Sequence, residues 1–130
     1  MPGMPVPLNE SPAMTLTLYG LKNCDTCKLA LREISAAGLE HRFVDIRSDA
    51  DLVALVPLWV KLAGAKALLN TRSTTWRGLS LQDQQLADAE PAALLIANPT
   101  LVKRPVIESG DALYVGWTAA VRAAVLGAAG

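Results

Sequence analysis

The residues in this chain best suited to chemistry are its two cysteines, Cys24 and Cys27, which are separated by two residues. That spacing puts the second thiol about one helical turn beyond the first, close enough to attack a disulfide formed there. The pair follows the alternating run Thr15-Leu16-Thr17-Leu18-Tyr19, which reads as a β-strand, and it opens a segment with helical spacing. A Cys-x-x-Cys where a strand gives way to a helix is an arrangement used in redox chemistry. Free backbone N–H groups and the positive end of the helix dipole favour a thiolate at the first position. Lys22 and Lys28 are expected to favour it further, and Asp25, between the sulfurs, to oppose it. Cys27 heads an apolar stripe continued by Ala30 or Leu31, Ile34 and Ala37. Cys27 is therefore expected to be the buried sulfur and Cys24 the exposed nucleophile.

Other chemistries have little to work with. Free cysteines are often buried as small hydrophobes, which is the plain alternative for this pair. A structural zinc site needs four ligands, and His41 is the single histidine available to complete one. His41 itself reads as a strand-edge residue. There is no phosphate-binding glycine loop, no metal constellation and no flavin or nicotinamide fingerprint, so no bound cofactor and no metal are expected.

The 130 residues carry 12 basic and 12 acidic side chains, for a formal net charge of zero. That balance gives no broad attraction to nucleic acid or to an anionic membrane. No run approaches the ~20 apolar residues that a membrane-spanning helix requires. Two closely spaced cysteines do not make a secreted disulfide scaffold, and the reading is a protein of the reducing cytoplasm. Residues 1–14 hold four prolines and have neither the basic start nor the apolar stretch of a signal peptide. They are read as a disordered tail, leaving 15–130 as one domain large enough to bury a core.

Several elements are expected to position the cysteines. The first helix ends at Gly38, and residues 41–46 alternate as a second strand. A strand, a helix of about a dozen residues and another strand form a βαβ unit, whose crossover pairs the strands in parallel. Asp49 or Asp51 caps a helix running to Gly64, which Pro57 either kinks or properly begins; Trp59 falls on its core face. A helical turn follows at 65–69, and then a polar, β-branched loop over 70–78 that carries Arg72 and Arg77. Short helices are expected at 80–86 and 90–97, the second closed by Asn98-Pro99. The run 101–107 leads into a third strand, Ser109-Gly110-Asp111 turns the chain into a fourth at 112–116, and 118–126 is the last helix. The order β-α-β, a helical insertion, then β-β-α is that of an α/β, thioredoxin-like three-layer fold with a mixed four-stranded sheet.

Four pieces in order carry a family resemblance: Tyr19-Gly20-x-x-x-Cys24-x-x-Cys27-Lys28, Leu68-Leu69-Asn70-Thr71-Arg72, Asn98-Pro99-x-Leu101-x-Lys103-Arg104-Pro105, and the terminal hairpin and helix. Over residues 15–127 the sequence resembles the arsenate reductase (ArsC) family, and most closely its YffB and Spx-like branch. The resemblance implies that Cys24 is the nucleophile, that Arg104 holds an oxyanion or substrate, and that Pro105 is the cis-proline facing the active cysteine. A cis bond there leaves the preceding backbone free to pair with an extended substrate. Arg72 is a further candidate for the substrate rim.

Two positions depart from the arsenate reductases. Tyr114-Val115-Gly116 stands where they carry an arginine in the final hairpin, and Asn70, not Arg72, aligns with their earlier arginine. A tetrahedral oxyanion is best held by several convergent guanidinium donors. The expected activity is therefore thiol–disulfide exchange, with glutathione as co-substrate, Cys27 as an available resolving thiol, and a mixed or protein disulfide as partner. The alternatives are an Spx-like redox regulator that binds RNA polymerase, a true arsenate reductase, and a thioredoxin-like module without catalysis.

Overall fold

Apolar side chains at Leu16 and Leu18, both buried, make Leu16–Gly20 the first strand, β1. The computed structural model describes residues 15–127; the tail read at 1–14 lies outside the described residues, as do 128–130. These residues form two compact units, one made of the chain up to Val44 together with Arg104 onward, the other of Asp45–Lys103.

In the first unit, β1 leads into helix α1, Asp25–Ala36, whose buried face is Cys27, Ala30 and Ile34. The helix stops where the backbone turns left-handed at Gly38, φ 75°. There Gly38 N–H donates to Ser35 O and Leu39 N–H to Ile34 O, which satisfies carbonyls left over at the helix end. Strand β2, His41–Asp45, follows and lies beside β1. Strands β3, Val106–Ser109, and β4, Ala112–Val115, form the hairpin expected around Gly110, φ 58°. The sheet order is β2-β1-β3-β4, with β3 antiparallel to both neighbours: Leu18 sits opposite Ile107, and Val106 opposite Val115. A crossover helix between β1 and β2 returns the chain parallel, which makes the sheet mixed. This is the thioredoxin-like α/β arrangement expected from the element order.

Leu16, Leu18, Ala30, Ile34, Ile107 and Val125 form the core of this unit. Val125 comes from the last helix, at Ala119–Gly127. Glu33 ties that helix to α1, its Oε1 accepting from Trp117 Nε1 at 2.7 Å and from Arg122 Nε at 2.8 Å. Those two donors hold the Glu33 carboxyl below its ordinary range. Across the sheet, Tyr19 donates its hydroxyl to Glu108 at 3.0 Å. Burial first, and then the Glu108 charge, push Tyr19 up to about 12, so it stays a neutral donor.

The second unit is helical. Asp51 caps Leu52–Ala63 by accepting from Ala54 N–H at 3.4 Å. Pro57 neither begins nor ends this helix; it sits inside it on the exposed side. The carbonyl that its missing N–H leaves without an i+4 helical partner belongs to Val53, a residue that is 71% exposed. Val56 and Trp59 are fully buried, with Trp59 in the core as its spacing indicates. Short helices follow at Ala65–Leu68, Thr74–Arg77, Leu81–Ala89 and Pro91–Ala97. The one at Thr74–Arg77 replaces part of the loop expected over 70–78. Ser73 nucleates it, accepting from Trp76 N–H at 3.1 Å while donating to Asn70 O at 2.8 Å. The stretch expected to begin the third strand is instead a 3-10 turn at Pro99–Leu101 followed by an isolated bridge between Val102 and Leu69. Pro105 has no N–H to give to a ladder, and the strand starts only after it.

Among the described residues no helix is long and apolar enough to cross a membrane.

Candidate active site

The turn Leu21-Lys22-Asn23 ends β1 and delivers Cys24 to the N-cap position of α1, with φ −88° and ψ 121°. Cys24 N–H donates to Leu21 O at 3.2 Å and Cys24 O accepts from Lys28 N–H at 3.0 Å, which fixes the backbone on both sides of the sulfur. Cys24 is half-buried, Cys27 is fully buried, and both are free thiols. Strand β1 makes room for the second sulfur through Gly20. A Cβ built at that glycine would lie 2.5 Å from Cys27 Sγ and 3.4 Å from a ring carbon of Phe43. Gly20→Ala is therefore expected to displace the buried sulfur or the strand, destabilising the fold by ~1–3 kcal/mol, the range for overpacked cores. Denaturant unfolding measures that loss; unchanged stability would mean that the contact relaxes freely.

The Arg104–Pro105 bond is cis, and Pro105 is buried, with its carbonyl accepting from Gly116 N–H at 2.8 Å. Arg104 is half-buried, and its guanidinium donates toward Cys24. Partial burial alone would raise the Cys24 thiol. The Cys27 backbone N–H, the Cys27 thiol and the Arg104 charge outweigh it and hold Cys24 below its ordinary value. The leading influences are thus Cys27 and Arg104, not the flanking lysines that the sequence brings to mind. Cys27 moves the opposite way. Burial pushes it up to about 12, assisted by the neighbouring Cys24 and only partly offset by the Leu21 N–H and Arg104.

These opposed shifts predict an order of reaction. Iodoacetamide at neutral pH is expected to modify Cys24 well before Cys27, with a rate that rises with pH through a midpoint below that of a free thiol, because only the thiolate attacks. Peptide mapping of the folded protein checks this, and equal rates at the two sulfurs would break the assignment.

The first unit thus brings together Cys24, Cys27 and Arg104, with Pro105 bonded to the last. Arg72 belongs to the second unit. It is exposed and lines a cavity of about 390 Å³ with Leu69, Asn70, Thr71 and Lys103. Arg77 ends the short helix at Thr74–Arg77 and is exposed. His41 is a strand residue whose Nδ1 lies 2.9 Å from Leu39 O and whose Nε2 lies 3.5 Å from Ser35 Oγ. Two features went unread in the sequence. Gly20 was part of a motif, but its close approach to Cys27 is a property of the fold. Lys103 stood beside Arg104 in another motif with nothing to show that it lines a cavity. Among the described residues no group of three His, Cys, Asp or Glu side chains is placed to hold a metal.

The fold and this arrangement define a thioredoxin-like thiol protein. Residues 19–124 match the ArsC family, and the chain belongs to that family. An uncharacterized protein of Haemophilus influenzae is 44% identical over 101 residues, spanning 75% of this chain and 88% of its own. The regulatory protein MgsR of Bacillus subtilis is 27% identical, over 78% of this chain and 82% of its own. Among solved structures, the YFFB protein is 32% identical and superposes with a TM-score of 0.76, covering 85% of this chain and 98% of its own. An arsenate reductase (ArsC) related protein from Brucella melitensis is 34% identical, with a TM-score of 0.69 over 85% of this chain and 93% of its own.

Proposed function

We propose that the protein is a thiol-dependent oxidoreductase in which Cys24 attacks a disulfide and glutathione serves as co-substrate in a reducing cytoplasm. The observation that carries this reading is the half-buried Cys24, held below its ordinary thiol value by Cys27 and Arg104. In the first step the Cys24 thiolate attacks the glutathione sulfur of a mixed disulfide. A bond forms between Cys24 and glutathione, the old sulfur–sulfur bond breaks, and the substrate leaves as a thiolate that takes a proton from water. In the second step the thiolate of another glutathione attacks this adduct, releasing oxidised glutathione and restoring the Cys24 thiolate. The sum is one mixed disulfide and one glutathione converted to one thiol and one oxidised glutathione.

Cys27 could resolve the adduct instead, but its thiol stands near 12. Burial disfavours its thiolate, which favours an external thiol for the second step. Arsenate reduction has weaker support, since Asn70 and Tyr114-Val115-Gly116 occupy positions where several arginines would be needed.

The deciding experiment compares a glutathione mixed disulfide with arsenate, each supplied with glutathione. The disulfide is expected to turn over faster. Robust arsenate reduction with no disulfide activity would overturn the proposal. Silence in both assays would favour the second reading, a redox regulator binding RNA polymerase; the similarity to MgsR, named a regulatory protein, supports a regulatory role only, and a polymerase pull-down in reduced and oxidised states tests the rest.

A further inference from the structure

The cavity at Leu69, Asn70, Thr71, Arg72 and Lys103 has a chemistry of its own. Its two walls are held together by main-chain bonds. Asn70 N–H donates to Leu101 O at 2.8 Å, Lys103 N–H donates to Leu68 O at 2.7 Å, and Leu69 bridges Val102 between them. Asn70 Oδ1 accepts from Arg72 N–H at 3.2 Å, which sets the turn that carries Arg72 and leaves the Asn70 amide nitrogen as a donor. The lining thus offers a guanidinium, an ammonium, a hydroxyl and an amide donor, with no acidic residue among them. At about 390 Å³ the cavity is much larger than a bare oxyanion needs and falls within the range of small-molecule sites.

We propose that this cavity binds the C-terminal carboxylate of a small peptide, and that in glutathione it takes the glycyl end. The inference rests on the reading of glutathione as co-substrate and adds a recognition site to it. A planar carboxylate suits the fork of Arg72, with Lys103 as a second positive charge. The γ-glutamyl end also carries a carboxylate, but its neighbouring ammonium would be repelled by both cations. The same chemistry could be presented by the C-terminus of a protein chain.

The test is titration of the full chain with S-methylglutathione, which cannot form a disulfide, followed by backbone NMR. Shifts are expected at residues 69–72 and 103, and binding should weaken as salt is raised. Amidating the glycyl carboxylate should weaken binding at least roughly tenfold, while removing the γ-glutamyl amino group should not. Arg72→Gln and Lys103→Gln should each weaken it by a similar factor, and the double variant should not bind measurably; both residues are exposed, so the fold should survive, as circular dichroism would verify. Shifts confined to other residues, or undiminished binding to the double variant, would overturn the proposal. A longer peptide with a free C-terminal glycine that binds equally well would support the carboxylate site and assign it to protein tails. Because the probe cannot exchange, binding here with no disulfide turnover would sink the reductase reading alone, and turnover without binding here would sink this site alone.

Discussion

Replacing Cys24 by serine is expected to abolish the proposed thiol–disulfide exchange, and no other single change is expected to remove as much activity. The reaction needs a sulfur–sulfur bond between protein and substrate, and a hydroxyl cannot supply one. The environment that lowers the Cys24 thiol cannot rescue the variant, because a serine hydroxyl stays protonated at neutral pH. The substitution replaces one sulfur by oxygen at a half-buried helix cap, where serine is a favoured residue, so the fold should be preserved. Turnover of a glutathione mixed disulfide should fall to background, and mass spectrometry should find no glutathione adduct at residue 24. The Cys27→Ser protein is the informative companion. If external glutathione resolves the adduct, that variant keeps much of its activity and accumulates the Cys24 adduct when glutathione is scarce. Exchange persisting in the Cys24→Ser protein would show that another group performs it.

The second large effect is expected from Arg104→Ala. Removing the guanidinium takes away one of the influences that favour the Cys24 thiolate, so the thiol's titration moves to higher pH. Below the new midpoint less thiolate is present, and alkylation and exchange both slow. The same change removes a charge-assisted donor for an anionic substrate, worth ~1.5–3 kcal/mol, or roughly ten- to a hundredfold in affinity. The two contributions separate by pH: the thiolate deficit is recovered as pH rises, whereas lost affinity is not. Arg104→Lys keeps the charge without the planar fork and should fall between the wild type and alanine. A wild-type pH–rate profile in the alanine variant would remove Arg104 from the site.

Much of this architecture could be read from residue patterns because its signals are local. The alternation before Tyr19, the stripe from Cys27 through Ile34, the glycine at position 38 and the turn at Ser109-Gly110-Asp111 each act over a few residues, and their structures follow. The misread parts depend on competition between local choices. Residues 70–78 looked like a polar loop, yet Ser73 could bond both Asn70 O and Trp76 N–H and so start a helical turn. The segment before Pro105 looked like strand, but Pro99 and Pro105 remove the donors that a ladder requires. At the site, the Cys-x-x-Cys spacing indicated which sulfur would be buried. It could not indicate that Arg104, eighty residues on, would act more strongly on Cys24 than adjacent lysines do. That influence arises from tertiary approach, for which the sequence holds no short-range sign. Lys103 was hidden for the same reason, since its place in a cavity depends on the bridge between Leu69 and Val102.

The tight meeting of Gly20 and Cys27 also bears on oxidative damage. Peroxide converts a thiolate first to a sulfenic acid, which a thiol can reverse, and then to sulfinic and sulfonic acids, which accumulate as lesions. Cys27 has no exposed surface, is held as a thiol, and has its sulfur pressed against the one residue of β1 without a side chain, so added oxygens find no space on that flank. Oxidant chemistry is thereby channelled to Cys24, where the sulfenic stage is within reach of solvent thiols. If the proposed exchange is this protein's reaction, peroxide would halt it at the accessible sulfur, and a small thiol such as glutathione would restore it from the sulfenic stage.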